Sequence, residues 1–113
     1  MEKIVEQGLL YDFYGELLTD HQKKIYEAAV YDDMSLTEIA DENGISKQGV
    51  HDLIKRCTRA LQDYEDKLHM IRRFEAIKSQ ALELKKVASM DLDRDNLASE
   101  ISRVSDRILE ELG

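Results

Sequence analysis

Proline is absent from this 113-residue chain, and glycine occurs only five times. Little therefore forces a helix to end, and the helix formers Leu, Glu, Lys, Ala and Ile dominate. No stretch alternates apolar and polar residues for the length of a strand, so the chain reads as all-helical. Cysteine is almost missing as well. Cys57 stands alone, which excludes an internal disulfide and fits a reducing cytosol. The longest apolar runs are far too short to span a bilayer. No charge-led apolar segment opens the chain as a signal peptide would. These absences lead us to expect a soluble, cytoplasmic protein with no membrane partner.

The constellations that carry chemistry are also wanting. His21, His51 and His69 have no metal-ligand spacing with one another or with Cys57. No nucleophile–base pair, no phosphate-binding glycine loop and no convergent carboxylates can be found. The expectation is no catalytic residue, no metal and no cofactor, hence no enzyme. The length allows one domain, or a small domain with an appendage, around a core that is marginal unless the helices pack compactly.

What the chain does have is charge, unevenly placed. Asp and Glu number 24 against 16 Lys and Arg, a formal net charge of −8. From residue 46 to 61, however, Lys47, Lys55, Arg56 and Arg59 face only Asp52, a net of +3. From 19 to 45 two basic residues meet seven acidic ones, a net of −5. The acidity is thus segregated from one positive segment, and that segment lies in a recognisable motif.

Helical signals define the motif. The opening segment "MEKIVEQGLLYDFYGELL" has Ile4, Val5, Leu9, Tyr11, Phe13, Tyr14, Leu17 and Leu18 at mixed helical spacing, and reads as a helix bent or interrupted at Gly8 or Gly15. Its aromatic cluster reads as core. Thr19 then caps a helix with Asp20 in its first turn and Ile25, Ala28 and Ala29 on its apolar stripe, ended by "YDDM". Ser35 caps the next, and Glu38 completes a capping box. Leu36, Ile39 and Ala40 face inward. Gly44 stands where a left-handed residue is wanted, Ile45 buries the turn, and Ser46 caps a third helix with Val50, Ile54, Cys57 and Leu61 at spacings of 4, 3 and 4. Two short helices, a glycine turn and a capped third helix make a helix-turn-helix over 35–61.

Beyond Leu61 the stripe continues through Tyr64, Leu68 and Ile71. A second stripe, Met70, Phe74, Ile77, Ala81, Leu84 and Ala88, is offset from it. Either one long helix runs from Val50 to Ala88, or two helices meet between Tyr64 and Met70. The acidic loop "SMDLDRDN" follows, and then a helix from about Leu97 with Leu97, Ile101, Val104 and Ile108 on one face. This reads as an αα-hairpin appended to the motif. We expect a helix-turn-helix domain over 1–62 and a C-terminal helical extension over 63–113. Phe74, Ile77, Ala81 and Leu84 should oppose Leu97, Ile101, Val104 and Ile108, leaving Leu82, Val87 and Leu109 exposed for a homodimer interface.

The candidate nucleic-acid-binding residues are Ser46, Lys47, Gln48, His51, Lys55, Arg56 and Arg59, opposite the apolar stripe of the third helix. Gln can bond adenine bidentately, and Lys or Arg can reach guanine or phosphate. Asp52 lies within that face. It is expected to pair with Arg56 one turn on, or else to accept from a cytosine amino group.

Two resemblances extend this reading. Residues 18–61 resemble the promoter-reading domain of bacterial sigma factors, through the Leu-Thr-x-x-Gln opening at Leu18 to Gln22, Ser-Leu-x-Glu-Ile-Ala at Ser35 to Ala40, and Gly-Ile-Ser at Gly44 to Ser46. Where that pattern is usually basic, this chain has Asp52 and Leu53. Over nearly its whole length the chain is similar to the YlxM-type family of small helix-turn-helix proteins of Gram-positive bacteria, through "YDFYGELLTDHQKKIYEAAVYDDMSLTEIA" and "ISKQGVHDLIKRC…LQDYEDKL". That family's genes lie beside those of the signal recognition particle GTPase. The resemblance implies a regulator in that targeting pathway, with DNA or RNA, or the particle's GTPase and RNA, as partners. A different class of reading keeps the motif as a scaffold and makes the protein an adaptor that binds the targeting GTPase through its acidic helices.

Overall fold

The computed structural model describes residues 2–113, and over these the chain is all-helical, with no strand. Its helices are α1 (Lys3–Tyr14), α2 (Asp20–Val30), α3 (Leu36–Asn43), α4 (Lys47–Leu68), α5 (Met70–Ala88) and α6 (Arg94–Leu112), with a 3₁₀ turn at Gly15–Leu17. The chain divides into two compact units, Met1–His69 and Met70–Gly113. The boundary expected at 62/63 falls inside α4.

Local chemistry sets most boundaries in the first unit. Thr19 Oγ1 accepts from the Gln22 N–H at 3.2 Å, and Gln22 Oε1 accepts from the Thr19 N–H at 2.9 Å. Ser35 and Glu38 close the same reciprocal box at 3.1 and 3.3 Å. Each box satisfies two of the N–H groups that a helix start would leave without partners. Gly44 takes φ +65° and its N–H donates to the Ala40 carbonyl. An L side chain there would cost about 1–2 kcal/mol. Ser46 caps α4 by accepting from the Gly49 N–H at 2.9 Å.

The core of this unit is Ile25, Ala28, Ile39, Ala40 and Val50, with Ala29, Leu36, Ile45 and Ile54 packed against it. Cys57 and Leu61 continue the buried stripe of α4. Burial holds the Cys57 thiol above its ordinary value.

The first helix breaks at the second of the two expected glycines, but its buried stripe differs from expectation. It passes through Gly8 unbroken and stops at Tyr14. Gly15 is the break, and a Cβ there would meet the Tyr11 ring at 2.8 Å. Only glycine allows that ring to lie across the turn. The buried side chains are Leu10, Tyr14 and Leu18, while Ile4, Val5 and Leu17 are exposed. The stripe therefore runs 3–7–10–14 rather than through the apolar residues at either end. Of the aromatic cluster expected in the core, Tyr14 is buried, while Tyr11 and Phe13 are half-buried at its edge. Tyr11 stacks on Tyr26 with centroids 5.7 Å apart and meets Tyr31 edge-on at 5.6 Å. Tyr11 donates to the Glu27 carboxylate and Tyr31 to that of Asp12. Burial, and then these carboxylates, hold both phenols far above the usual tyrosine value.

Two helices, not one, span Val50 to Ala88. α4 ends at Leu68 because His69 adopts φ +55° and donates its N–H to the Glu65 carbonyl at 2.8 Å. A left-handed residue is usually glycine, and histidine is among the few others that visit that region with any frequency.

The second unit is the expected helical hairpin with a shifted seam. Asp93 caps α6, accepting from the Asn96 N–H at 2.8 Å, so this helix starts at Arg94 rather than near Leu97. On α6 Val104 is fully buried, with Leu97 and Ile108 half-buried, but Ile101 is 42% exposed. On α5 the inward positions are Ile77, Gln80, Leu84 and Val87, while Phe74 and Ala81 are exposed. Val87 is 1% exposed, so it belongs to the hairpin core and is not available to a dimer as expected. The rotation brings Gln80 inward in place of Ala81 and carries Val87 with it. Arg103 bridges the two helices at one edge, 3.4 Å from Glu83 and 2.7 Å from Glu100.

Gln80 Oε1 is buried with no hydrogen-bond partner among the described residues. Such a group costs about 1–3 kcal/mol in desolvation. Gln80→Leu should therefore raise stability by roughly that amount, measured by urea unfolding. A lowered midpoint would show that the amide is satisfied in solution.

Candidate nucleic-acid interface

α4 packs against α1, α2 and α3 at once. Its apolar stripe is fully engaged, so its opposite face must point to solvent. Lys47, Gln48, His51, Asp52, Lys55, Arg56 and Arg59 are all exposed there. Ser46 sits at the helix start with its hydroxyl already committed to the cap. The sequence-derived set thus falls on one surface, with Ser46 as a positioner rather than a free hydroxyl.

Asp52 does not pair with Arg56 among the described residues. It accepts from Gln48 Nε2 at 3.0 Å, and His51 Nδ1 lies 3.6 Å away. The reason is geometric, because Gln48 sits one turn before Asp52 with a shorter side chain and a neutral donor that gives up little hydration. The effect is to occupy the Gln48 amide on the exposed face and to leave Lys55, Arg56 and Arg59 without an ion pair among the described residues. Those three, with Asp52, line a shallow depression of about 250 Å³. A second hollow of about 380 Å³ lies where Leu36 of α3 meets Lys47, Gln48 and His51.

A larger cleft was not foreseen. Gln7 Nε2 donates to Thr58 Oγ1 at 3.3 Å, and the Tyr14 hydroxyl donates to Glu65 at 2.6 Å, each pair 51 residues apart. Two contacts at one offset mean that α1 and α4 run side by side in the same direction. The same offset sets Leu10 level with Leu61, both buried, and Lys3 level with Ile54. The seam is apolar at its lower end and polar at its upper end, where it opens into a cleft of about 520 Å³. Lys3 and Gln7 form one wall; His51, Lys55, Thr58 and Arg59 are on the other. The signal was present, since Lys3 and Gln7 lie on the stripe of Leu10 and Tyr14. It had no meaning until the partner helix and its register were known.

Thr58 ties this region together. Its hydroxyl donates to the Ile54 carbonyl at 2.9 Å, so its oxygen must accept from Tyr26 at 2.8 Å and from Gln7. Burial holds the Tyr26 phenol above its ordinary value.

The fold and this surface define a helix-turn-helix protein whose outward helix is locally basic. The chain belongs to the family described as "Putative helix-turn-helix protein, YlxM / p13 like", whose model matches residues 1–104. A UPF0122 protein of Acetivibrio thermocellus is 42% identical over 113 residues, covering 97% of each chain. The UPF0122 protein YlxM of Bacillus subtilis is 38% identical over 99 residues, 88% of this chain and 90% of its own. No helix among the described residues is long and apolar enough to cross a membrane.

Thr58→Val keeps the shape but leaves the Tyr26 phenol, fully buried, without an acceptor. It should cost about 1–3 kcal/mol in urea unfolding. In a Tyr26→Phe background the same change should cost far less. Equal costs in the two backgrounds would show that the two hydroxyls are not coupled.

Proposed function

We propose that this protein is a non-enzymatic nucleic-acid-binding regulator that uses the exposed face of α4, with the signal recognition particle pathway as its setting. The observation that carries the reading is the cluster of Lys47, Lys55, Arg56 and Arg59 on that face, in a chain whose net charge is −8. Phosphate contacts supply most non-specific affinity. Four cations on an otherwise repelling surface suit a binder that neutralises few phosphates and holds little random nucleic acid.

A second reading, the adaptor, draws on Asp52 within the same face and on the acidic stretch from Asp20 to Glu42. In that reading the acidic helices meet a basic protein such as the targeting GTPase, and complementary fields speed encounter more than they deepen affinity. Pull-downs against the GTPase, its RNA and their complex, with random duplex DNA as competitor, separate the two. Retention by the GTPase alone favours the adaptor.

Contact with about four phosphates gives a slope of log affinity against log salt of about −3.6. Lys55→Glu with Arg59→Glu should abolish DNA or RNA binding without loss of helical content. Unchanged binding in that double variant would move the site off α4.

The C-terminal hairpin is the proposed dimer contact. Without Val87, that role rests on Leu82 and Leu109, 58% and 63% exposed, with Ile101 and Leu112 also outward on α6. Each large side chain covered contributes roughly 1.5–3 kcal/mol. Light scattering at tens of micromolar should give twice the chain mass, and Ile101→Glu with Leu109→Glu should halve it. A monomer mass for the unaltered chain would end this proposal.

A further inference from the structure

The cleft between α1 and α4 has an uneven distribution of charge that its packing role does not need. Lys3, Lys55 and Arg59 all border it, and none makes an ion pair among the described residues. In a chain with three acids for every two bases, unpaired cations converging from two helices on a concavity are not the default arrangement. The register places them unevenly along it. Lys3 is level with Ile54, so Lys3, His51 and Lys55 crowd the upper end, while Gln62 and the single carboxylate, Asp63, lie two turns further down. The upper end suits an anion. The lower end repels one and accepts hydrogen bonds from hydroxyl or amino donors. The partly buried Ile54 side chain lies at the upper end, level with Lys3, and Thr58 lies one turn below it, presenting its methyl because its hydroxyl is taken up by Ile54, Tyr26 and Gln7.

At about 520 Å³ the cleft falls within the range of roughly 300–1,000 Å³ typical of small-molecule sites. An anionic head beside Lys3 and Lys55, a body that lies along the aliphatic wall of Ile54 and Thr58, and a donor-rich far end describe a nucleotide. We infer that the α1–α4 cleft binds a nucleoside diphosphate, with its phosphates between Lys3, Lys55 and Arg59 and its nucleoside directed toward Gln62 and Asp63. Lys55 and Arg59 also belong to the face that the proposed function assigns to nucleic acid, on which this second step rests. One set of cations cannot neutralise both ligands, so the nucleotide displaces nucleic acid from α4.

Calorimetry on the full chain at low salt, with ADP, GDP, inorganic pyrophosphate and adenosine as separate probes, tests the site without any nucleic acid. The expected result is submillimolar binding of ADP or GDP and at least tenfold weaker binding of pyrophosphate and adenosine. Lys3→Glu, an exposed position outside α4, should weaken the nucleotide at least tenfold. Lys24→Glu, an exposed change of equal charge on α2, should leave it within twofold. No binding of either diphosphate at several millimolar overturns the proposal, as does equal loss in the two variants. Pyrophosphate binding as tightly as ADP overturns the nucleotide assignment. Competition against a labelled RNA or DNA is the second arm. Nucleotide binding that depends on Lys3, in a chain that holds no nucleic acid, sustains the site and overturns only the nucleic-acid reading.

Discussion

One helix side constrains the whole first unit. Val50, Cys57 and Leu61 are buried because α1, α2 and α3 all dock on the same stripe of α4. A helix surrounded on one side by three partners has a single free face, and its direction is not adjustable. Every residue at the complementary spacing must be solvated, so side chains there are chosen for something other than packing. Lys47, Lys55, Arg56 and Arg59 occupy it. A core requirement therefore positions the basic surface, and the caps at Ser35, Gly44 and Ser46 set the angle at which α4 leaves the turn.

The elements legible in the sequence are those fixed by chemistry within one turn. Ser35 with Glu38, Gly44 with its left-handed backbone, and Ser46 before α4 are each decided by hydrogen bonds spanning three or four residues, and each is where local reasoning puts it. The apolar stripe of α4 is legible for the same reason, since its 4–3–4 spacing repeats without conflict. The family and the helix-turn-helix motif follow from these short-range features.

What was not legible depends on partners distant in the chain. His69 ends α4 without glycine or proline, and histidine's modest preference for the left-handed region is too weak to announce the turn. On α5 the choice between Gln80 and Ala81 for the inward position looks settled by polarity, yet the hairpin turns Gln80 in and buries Val87. The bridge from Arg103 to Glu83 and Glu100 favours that rotation from the seam's edge. The 51-residue register of α1 on α4 was equally hidden. Lys3 and Gln7 look like an ordinary solvated helix start until Thr58 and Ile54 stand opposite them. Ile4 and Val5 look like core until the stripe through Leu10 and Tyr14 leaves them outside.

The same register explains why the seam between α1 and α4 is closed below and open above. Over the lower turns Leu10 and Leu61, level in this register, are both buried, and the Tyr14 hydroxyl donates to Glu65. Above them Thr58 replaces an apolar residue on the α4 stripe. Its hydroxyl is fully used, donating to Ile54 and accepting from Tyr26 and Gln7. A polar group satisfied by three neighbours can sit at the edge of a core without the cost of an unpaired one. It also stops the apolar seam, because Gln7 must stay polar to reach it, and Lys3, one turn earlier, borders the cleft beside the partly buried Ile54. The positive wall of the cleft and the buried phenol of Tyr26 are thus two consequences of one threonine. That threonine lies one residue from Arg59 on the helix that carries the basic face. The packing of the core and the charge of the surface meet within a single turn of α4.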